Sequence, residues 1–193
     1  MTTNPQRAAL FAALMAASTP AAMAQETGGT DPSLGEVVVD ERPLGTEYVK
    51  ELHGDWAVRC LMTDQKQDPC SLYQLLLDEA GNSVAEITLF PVQQSQNGAV
   101  VAATFIAPLE TFLPVGVTLG VDGGEARRYP FEFCTQIGCF SRMGFTDVEV
   151  DAFRRGAIAN VRIVPAGARD RTVDLQISLT GFTAGLQSLI DAL

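Results

Sequence analysis

One histidine occurs in 193 residues. Any Ser-His-Asp or Cys-His relay must therefore be built on His53, which sits beside Gly54 where a lead-in residue in solvent is the simpler reading. Basic charge is also scarce, with 13 Lys and Arg against 23 Asp and Glu. Phosphate neutralisation needs clustered cations, so nucleic acid is excluded as a partner, and electrostatic docking on anionic lipid with it. No Gly-x-Ser-x-Gly elbow is present. Gly120-Val121-Asp122-Gly123-Gly124 is glycine-rich but lies between two strand patterns, so it is a turn and not a phosphate loop. The carboxylate pairs Asp78-Glu79 and Glu149-Asp151 fall in a loop and in the first turns of a helix, where acidic residues belong on electrostatic grounds alone. Catalytic residues, a cofactor and a metal site are therefore not assigned.

What the first residues do contain is an address. Met1 to Arg7 is short and polar, Ala8 to Ala17 is apolar, and Ala22-Met23-Ala24 is a small-x-small cleavage site. Residues 1–24 read as a secretory signal peptide. The apolar run is shorter than the ~20 residues that span a bilayer, and no later stretch is long and apolar enough, so no transmembrane segment is expected after cleavage. No Cys follows the cleavage site, which argues against a lipoprotein. Without Arg7 the 13 cations fall to 12 against 23 carboxylates, a net charge of −11 that suits a soluble exported protein.

Residues 25–50 are rich in Gly, Pro, Thr, Asp and Glu and read as a flexible acidic lead-in, with Glu36-Val37-Val38-Val39 its single strand candidate. Residues 51–193 form one domain. Trp56, Val58 and Cys60 alternate with Ala57 and Arg59, the period-two signature of a strand. Further strand patterns cover Ser71–Asp78, Ser83–Val92 and the continuously apolar Ala99–Ala107, expected to be buried on both faces. Gly116–Asp122 alternates, Asp122-Gly123 is a two-residue hairpin signal, and Glu125–Cys134 returns with Tyr129, Phe131 and Phe133 on one face. Thr146-x-x-Glu149 is a capping box, and Arg154-Arg155-Gly156 ends a short helix with glycine at the C′ position. Strands follow at Ala157–Val164 and Thr172–Thr180. Leu186, Leu189, Ile190 and Leu193 then mark a terminal helix docked on the sheet. Eight or nine closely spaced strands and one or two short helices predict an all-β fold, an antiparallel β-sandwich.

The four cysteines, Cys60, Cys70, Cys134 and Cys139, are an even number in an exported chain and read as structural disulfides. Pairing Cys60 with Cys70 and Cys134 with Cys139 closes loops of about 11 and 6 residues, worth roughly 2.8 and 2.2 kcal/mol in the chain-entropy model. A crossed Cys60–Cys134 bridge closes about 75 residues and is worth roughly 4.5 kcal/mol. Entropy favours the crossed set. Short separation across turn-like segments favours the local set, which is preferred here. Cys134 and Cys139 are spaced C-x4-C rather than C-x-x-C, and no βαβ pattern surrounds them, which argues against a redox centre. The spacings do not match a zinc site. Trp56, Phe131 and Phe133 are expected in the core. Phe112-Leu113-Pro114 is an apolar loop read as a plug rather than a contact patch.

Four motifs in order carry a resemblance. They are Trp56-x-x-x-Cys60 with Cys70; Leu113-Pro114-x-Gly116-Val117-x-Leu119-x-Val121-Asp122-Gly123; Phe131-x-x-Cys134-x-x-x-Gly138-Cys139; and Ser178-Leu179-x-Gly181-Phe182 with Ala184 and Leu186. Together they resemble the invasion-associated locus B family of alphaproteobacterial envelope proteins, over about residues 54–193. The resemblance implies an exported protein, periplasmic or outer-membrane-associated, with an immunoglobulin-like β-sandwich. It brings no catalytic residues. It marks the four cysteines, with Trp56 beside them, as the family's own. The expected function is binding of an as yet unidentified protein or envelope polymer without catalysis. The alternative is a carbohydrate- or small-ligand-binding periplasmic module, which needs an exposed aromatic cleft from Tyr48, Tyr73 or Trp56.

Overall fold

Apolar side chains at every second position leave the strands one way to bury them, face to face in two sheets. The computed structural model describes residues 35–36, 42–78, 80–93 and 97–193. The leader, 1–24, and all of the lead-in strand candidate except Glu36 lie outside the described residues. The elements are β1 (Glu47–His53), β2 (Trp56–Leu61), β3 (Cys70–Leu77), β4 (Ser83–Pro91), β5 (Ala99–Ala107), β6 (Val117–Val121), β7 (Arg127–Tyr129), β8 (Phe133–Thr135), β9 (Gly138–Thr146), α1 (Asp147–Arg155), β10 (Ile158–Ile163), β11 (Val173–Ser178) and α2 (Phe182–Asp191). A seven-stranded sheet runs β1-β2-β3-β4-β5-β9-β8, and a four-stranded sheet runs β11-β10-β6-β7. Pairing is antiparallel throughout the described strands. The fold is an all-β sandwich with two short helices. Among the described residues no helix is long and apolar enough to cross a membrane.

The inner faces carry the core: Val58 and Cys60 of β2, Leu72 and Leu76 of β3, Ile87 and Leu89 of β4, Phe105 of β5 and Phe145 of β9. From the smaller sheet come Val117, Leu119, Val161, Leu175 and Ile177. Each such side chain contributes about 1.5–3 kcal/mol by leaving water. Trp56 is 1% exposed and fixes the join between sheets. Its indole N–H donates to the Ser178 carbonyl at 2.8 Å. Buried Gln74 donates to the same carbonyl at 3.0 Å and accepts from the Ser178 N–H at 2.8 Å. The β1–β2 turn and the entry to α2 approach so closely that each needs glycine. A Cβ on Gly181 (φ +87°) would lie 2.0 Å from the His53 carbonyl oxygen, and one on Gly54 2.4 Å from that of Thr180.

Several local readings change. The sheet begins at Glu47, inside the segment read as lead-in, because β1 is an edge strand held by pairing with β2. The single strand expected over Glu125–Cys134 is two, with β7 in the small sheet and β8 in the large one. Pro130 lies between them and cannot donate to a ladder. The crossing turns Phe133 outward, so it is 42% exposed and not in the core. The outer residues of β5, Ala102, Thr104 and Ile106, are half-buried, so that strand is covered fully on one face only. The capping box forms as read, but Gly156 is extended (φ −76°) rather than left-handed. Its glycine is needed for space: a Cβ would meet Val121 at 2.5 Å. In α2, Leu186 and Leu189 dock while Ile190 faces outward, and Leu193, past the helix end, is exposed.

Candidate functional site

The four cysteines pair locally, Cys60 with Cys70 and Cys134 with Cys139. In both pairs the two residues stand directly opposite on neighbouring antiparallel strands. No free cysteine is left. Cys60 and Cys139 are buried, Cys70 is half-buried, and Cys134 reaches solvent at the sheet edge. Among the described residues no group of three or more His, Cys, Asp or Glu is gathered as a metal site.

His53 ends β1 and is more enclosed than a lead-in residue in solvent. Its Nε2 lies 2.9 Å from a Glu51 oxygen. The Ser188 hydroxyl of α2 donates to that same oxygen at 2.9 Å. Bonds to His53 and Ser188 hold the Glu51 carboxyl below its ordinary range. Serine, histidine and an acid are thus neighbours, but in the wrong order for a relay. A nucleophilic hydroxyl must bond to the imidazole, with the acid behind it. Here the carboxylate is in the middle, and the cluster ties β1 to α2. The Asp78 carboxylate is taken up by its own turn, accepting from the N–H groups of Ala80 and Asn82. Asp151 pairs with Arg154 at 3.0 Å.

The aromatic residues named for a sugar cleft do not form one. Trp56 is buried, Tyr73 is 9% exposed under the Arg59 guanidinium, and the Tyr48 ring is covered by Arg42 at 4.0 Å. The Phe112-Leu113 loop is half-buried, with the Arg169 guanidinium 4.3 Å over the Phe112 ring.

Two other surfaces emerge from register and packing. The first is the outer face of the seven-stranded sheet. Cross-strand partners run Leu75, Glu86, Ile106, Phe140, Phe133 across β3, β4, β5, β9 and β8 in one row. The Phe133 and Phe140 rings stack at 4.8 Å. Ile137, at the tip of the stapled β8–β9 turn, is 75% exposed, and it lines a shallow hollow of about 510 Å³ with Leu75, Val84, Ile106 and Pro108. The one carboxylate in the row, Glu86, accepts the Tyr73 hydroxyl at 3.0 Å. An apolar patch of this extent facing solvent is a usual mark of a contact surface.

The second is a recess of about 250 Å³ between α1 and the β6–β7 hairpin. Its floor is Leu119, Phe145 and Phe153, all buried, and its mouth carries Glu125, Arg127 and Val148. Period two puts Glu125, Arg127 and Tyr129 on one side of β7. Below the mouth, Glu149 accepts from the Thr146 N–H (2.9 Å), the Thr146 hydroxyl (2.8 Å) and Arg127 Nε (3.0 Å). Burial first, and the Glu149 charge second, push the Tyr129 phenol up to about 12, so it stays a protonated donor. Neither surface was legible as a site in the sequence. The visible signals were period two in β7 and the exposed C-x4-C turn, and each needs register or tertiary packing to acquire its neighbours.

The family model described as Invasion associated locus B (IalB) protein matches residues 56–190. No curated protein matches the chain. Among solved structures, the chain is similar to the crystal structure of invasion associated protein B from Bartonella henselae. That likeness has a TM-score of 0.62 at 21% identity and covers 73% of this chain and 94% of that one. It concerns the fold, and it agrees with the sandwich above.

Proposed function

We propose that this chain, which belongs to the Invasion associated locus B family, is an exported envelope protein that acts by binding a protein or envelope polymer, with no catalysis of its own. The observation that carries this is the apolar row ending at the stapled β8–β9 turn. A hairpin tip ordinarily carries polar residues, whereas Ile137 stands here at 75% exposure beside Ile106 and Leu75. Two disulfides suit the oxidising side of a membrane, where thiols are not kept reduced. The middle position of Glu51 between His53 and Ser188 argues against a hydrolytic relay on the single histidine. The residence proposed is the periplasm or an association with the outer membrane.

A photo-reactive residue placed at Gln136, beside Ile137, tests this in intact cells. A discrete adduct is expected from the wild-type chain and its loss from Ile137→Asp. No discrete adduct, or an adduct indifferent to Ile137→Asp, overturns the proposal.

A further inference from the structure

The recess beneath α1 is a separate feature, on a different part of the sandwich from the Ile137 patch, and three observations bear on what it takes. The first is size. About 250 Å³ over a floor of Leu119, Phe145 and Phe153 is below the 300–1,000 Å³ of ordinary small-molecule sites and fits one large apolar side chain. The second is topology. β7 is the outermost strand of the small sheet, so among the described residues one side of its backbone has no strand neighbour. The third is charge. The Arg127 side chain is 59% exposed at the mouth, while its partner Glu149 is 17% exposed and already takes two bonds from Thr146. The anion is sunk and already engaged. The cation stands over it facing solvent, with one of its five donors engaged by the pair.

We infer that this recess is an anchor pocket for an extended segment of another protein: one large apolar side chain enters above Phe145 and Phe153, the segment's backbone lies along β7, and a carboxylate next to the anchor binds the outer nitrogens of Arg127. Added strands draw affinity from the backbone and specificity from pockets for alternate side chains. A planar guanidinium is suited to hold a carboxylate in two parallel bonds. Glu125, two residues before Arg127, also lines the recess and repels a carboxylate on its own side of Arg127, so the segment binds in one direction. This inference does not depend on the Ile137 surface.

The test is selection of random ten-residue peptides on the immobilised full chain, in parallel with the Ala152→Trp and Ile137→Asp chains. Ala152 lines the recess from α1, and an indole there fills it. Wild type and Ile137→Asp are expected to enrich peptides with Leu, Ile, Met or Phe beside Asp or Glu. Ala152→Trp is expected to lose that enrichment. If Ala152→Trp fails to fold by circular dichroism, Val148→Trp takes its place, since Val148 is 77% exposed at the rim and needs no room in the core. For a synthetic consensus peptide, Arg127→Gln and acid-to-amide exchange in the peptide should each weaken binding about tenfold, and together no further. No enriched motif, enrichment that survives filling the recess, or losses that simply multiply would overturn the inference. Loss of the Gln136 adduct in Ile137→Asp with peptide selection intact separates the two surfaces.

Discussion

The two stapled hairpins differ in nearly everything except the staple. Both join residues directly opposed in an antiparallel pair. Cys60–Cys70 lies inside the sheet, between strands that have β1 and β4 on their outer sides. It closes a long polar loop whose order comes from one carboxylate. Asp68 accepts from the Thr63 N–H at 2.7 Å, the Thr63 hydroxyl at 2.9 Å and the Tyr48 hydroxyl at 2.9 Å. Cys134–Cys139 lies at the sheet edge and closes a two-residue turn, Gln136-Ile137. One weak side-chain bond supports that turn, from the Ile137 N–H to the Thr135 hydroxyl at 3.3 Å. β8 has three residues and a neighbour on one side. Strands so short hold poorly by pairing alone. The inner staple therefore closes a loop over a core that would exist without it. The outer staple holds in place an edge that its own pairing would not keep.

That contrast can be broken by removing each bridge in turn. Cys60→Ala with Cys70→Ala should cost the most stability, about 3 kcal/mol, because its 11-residue loop is the longer of the two. Cys134→Ala with Cys139→Ala should cost less, about 2 kcal/mol. Urea unfolding at neutral pH measures both. The order of functional effects should be the reverse. The folded outer variant should lose the Gln136 adduct as β8 frays and the Phe133–Phe140 stack separates, while the folded inner variant keeps it. Equal stability costs, or an adduct that survives in the outer variant, would mean that the two staples do the same work.

What was legible in advance follows the same division. The inner hairpin could be read from its own residues, since Trp56, Val58 and Cys60 alternate and every inward position is apolar. The capping box of α1 and the Asp122-Gly123 turn were equally local. Both turn residues take positive φ (+46° and +73°) and the Gly124 N–H closes the turn on the Val121 carbonyl at 2.8 Å, although the β6–β7 register makes the whole connection longer than two residues. β1 was not legible. Its apolar Val49 and Leu52 are exposed, so pairing with β2 makes it a strand while burial contributes little. The outer hairpin was misread for a related reason. Phe131 and Phe133 continue the alternation of Tyr129, but Pro130 ends the ladder and the chain changes sheet, which reverses what alternation means for facing. The recess was invisible because Leu119, Arg127, Phe145 and Phe153 come from four elements, and no spacing along the chain encodes their meeting.

The smallest expected effect separates the hairpins by pH. Bonds from Thr63 and Tyr48 hold the Asp68 carboxyl below its ordinary value of 3.8. A group whose folded value is depressed stabilises the fold above its ordinary value, and loses that contribution as pH falls through the folded value. Asp68→Asn should therefore lower the thermal midpoint slightly at pH 7. The gap to wild type should shrink below about pH 4 as the wild-type carboxylate takes up its proton. The outer turn carries no such group, since Thr135, Gln136 and Ile137 do not titrate. Thr135→Ala, which removes that turn's one side-chain bond, should shift the midpoint by an amount independent of pH over the same range. Parallel melting curves at pH 7, 5 and 3.5 make the comparison. A pH-independent gap for Asp68→Asn would show that the loop is held by its disulfide and backbone alone, and the two hairpins would then differ only in loop length.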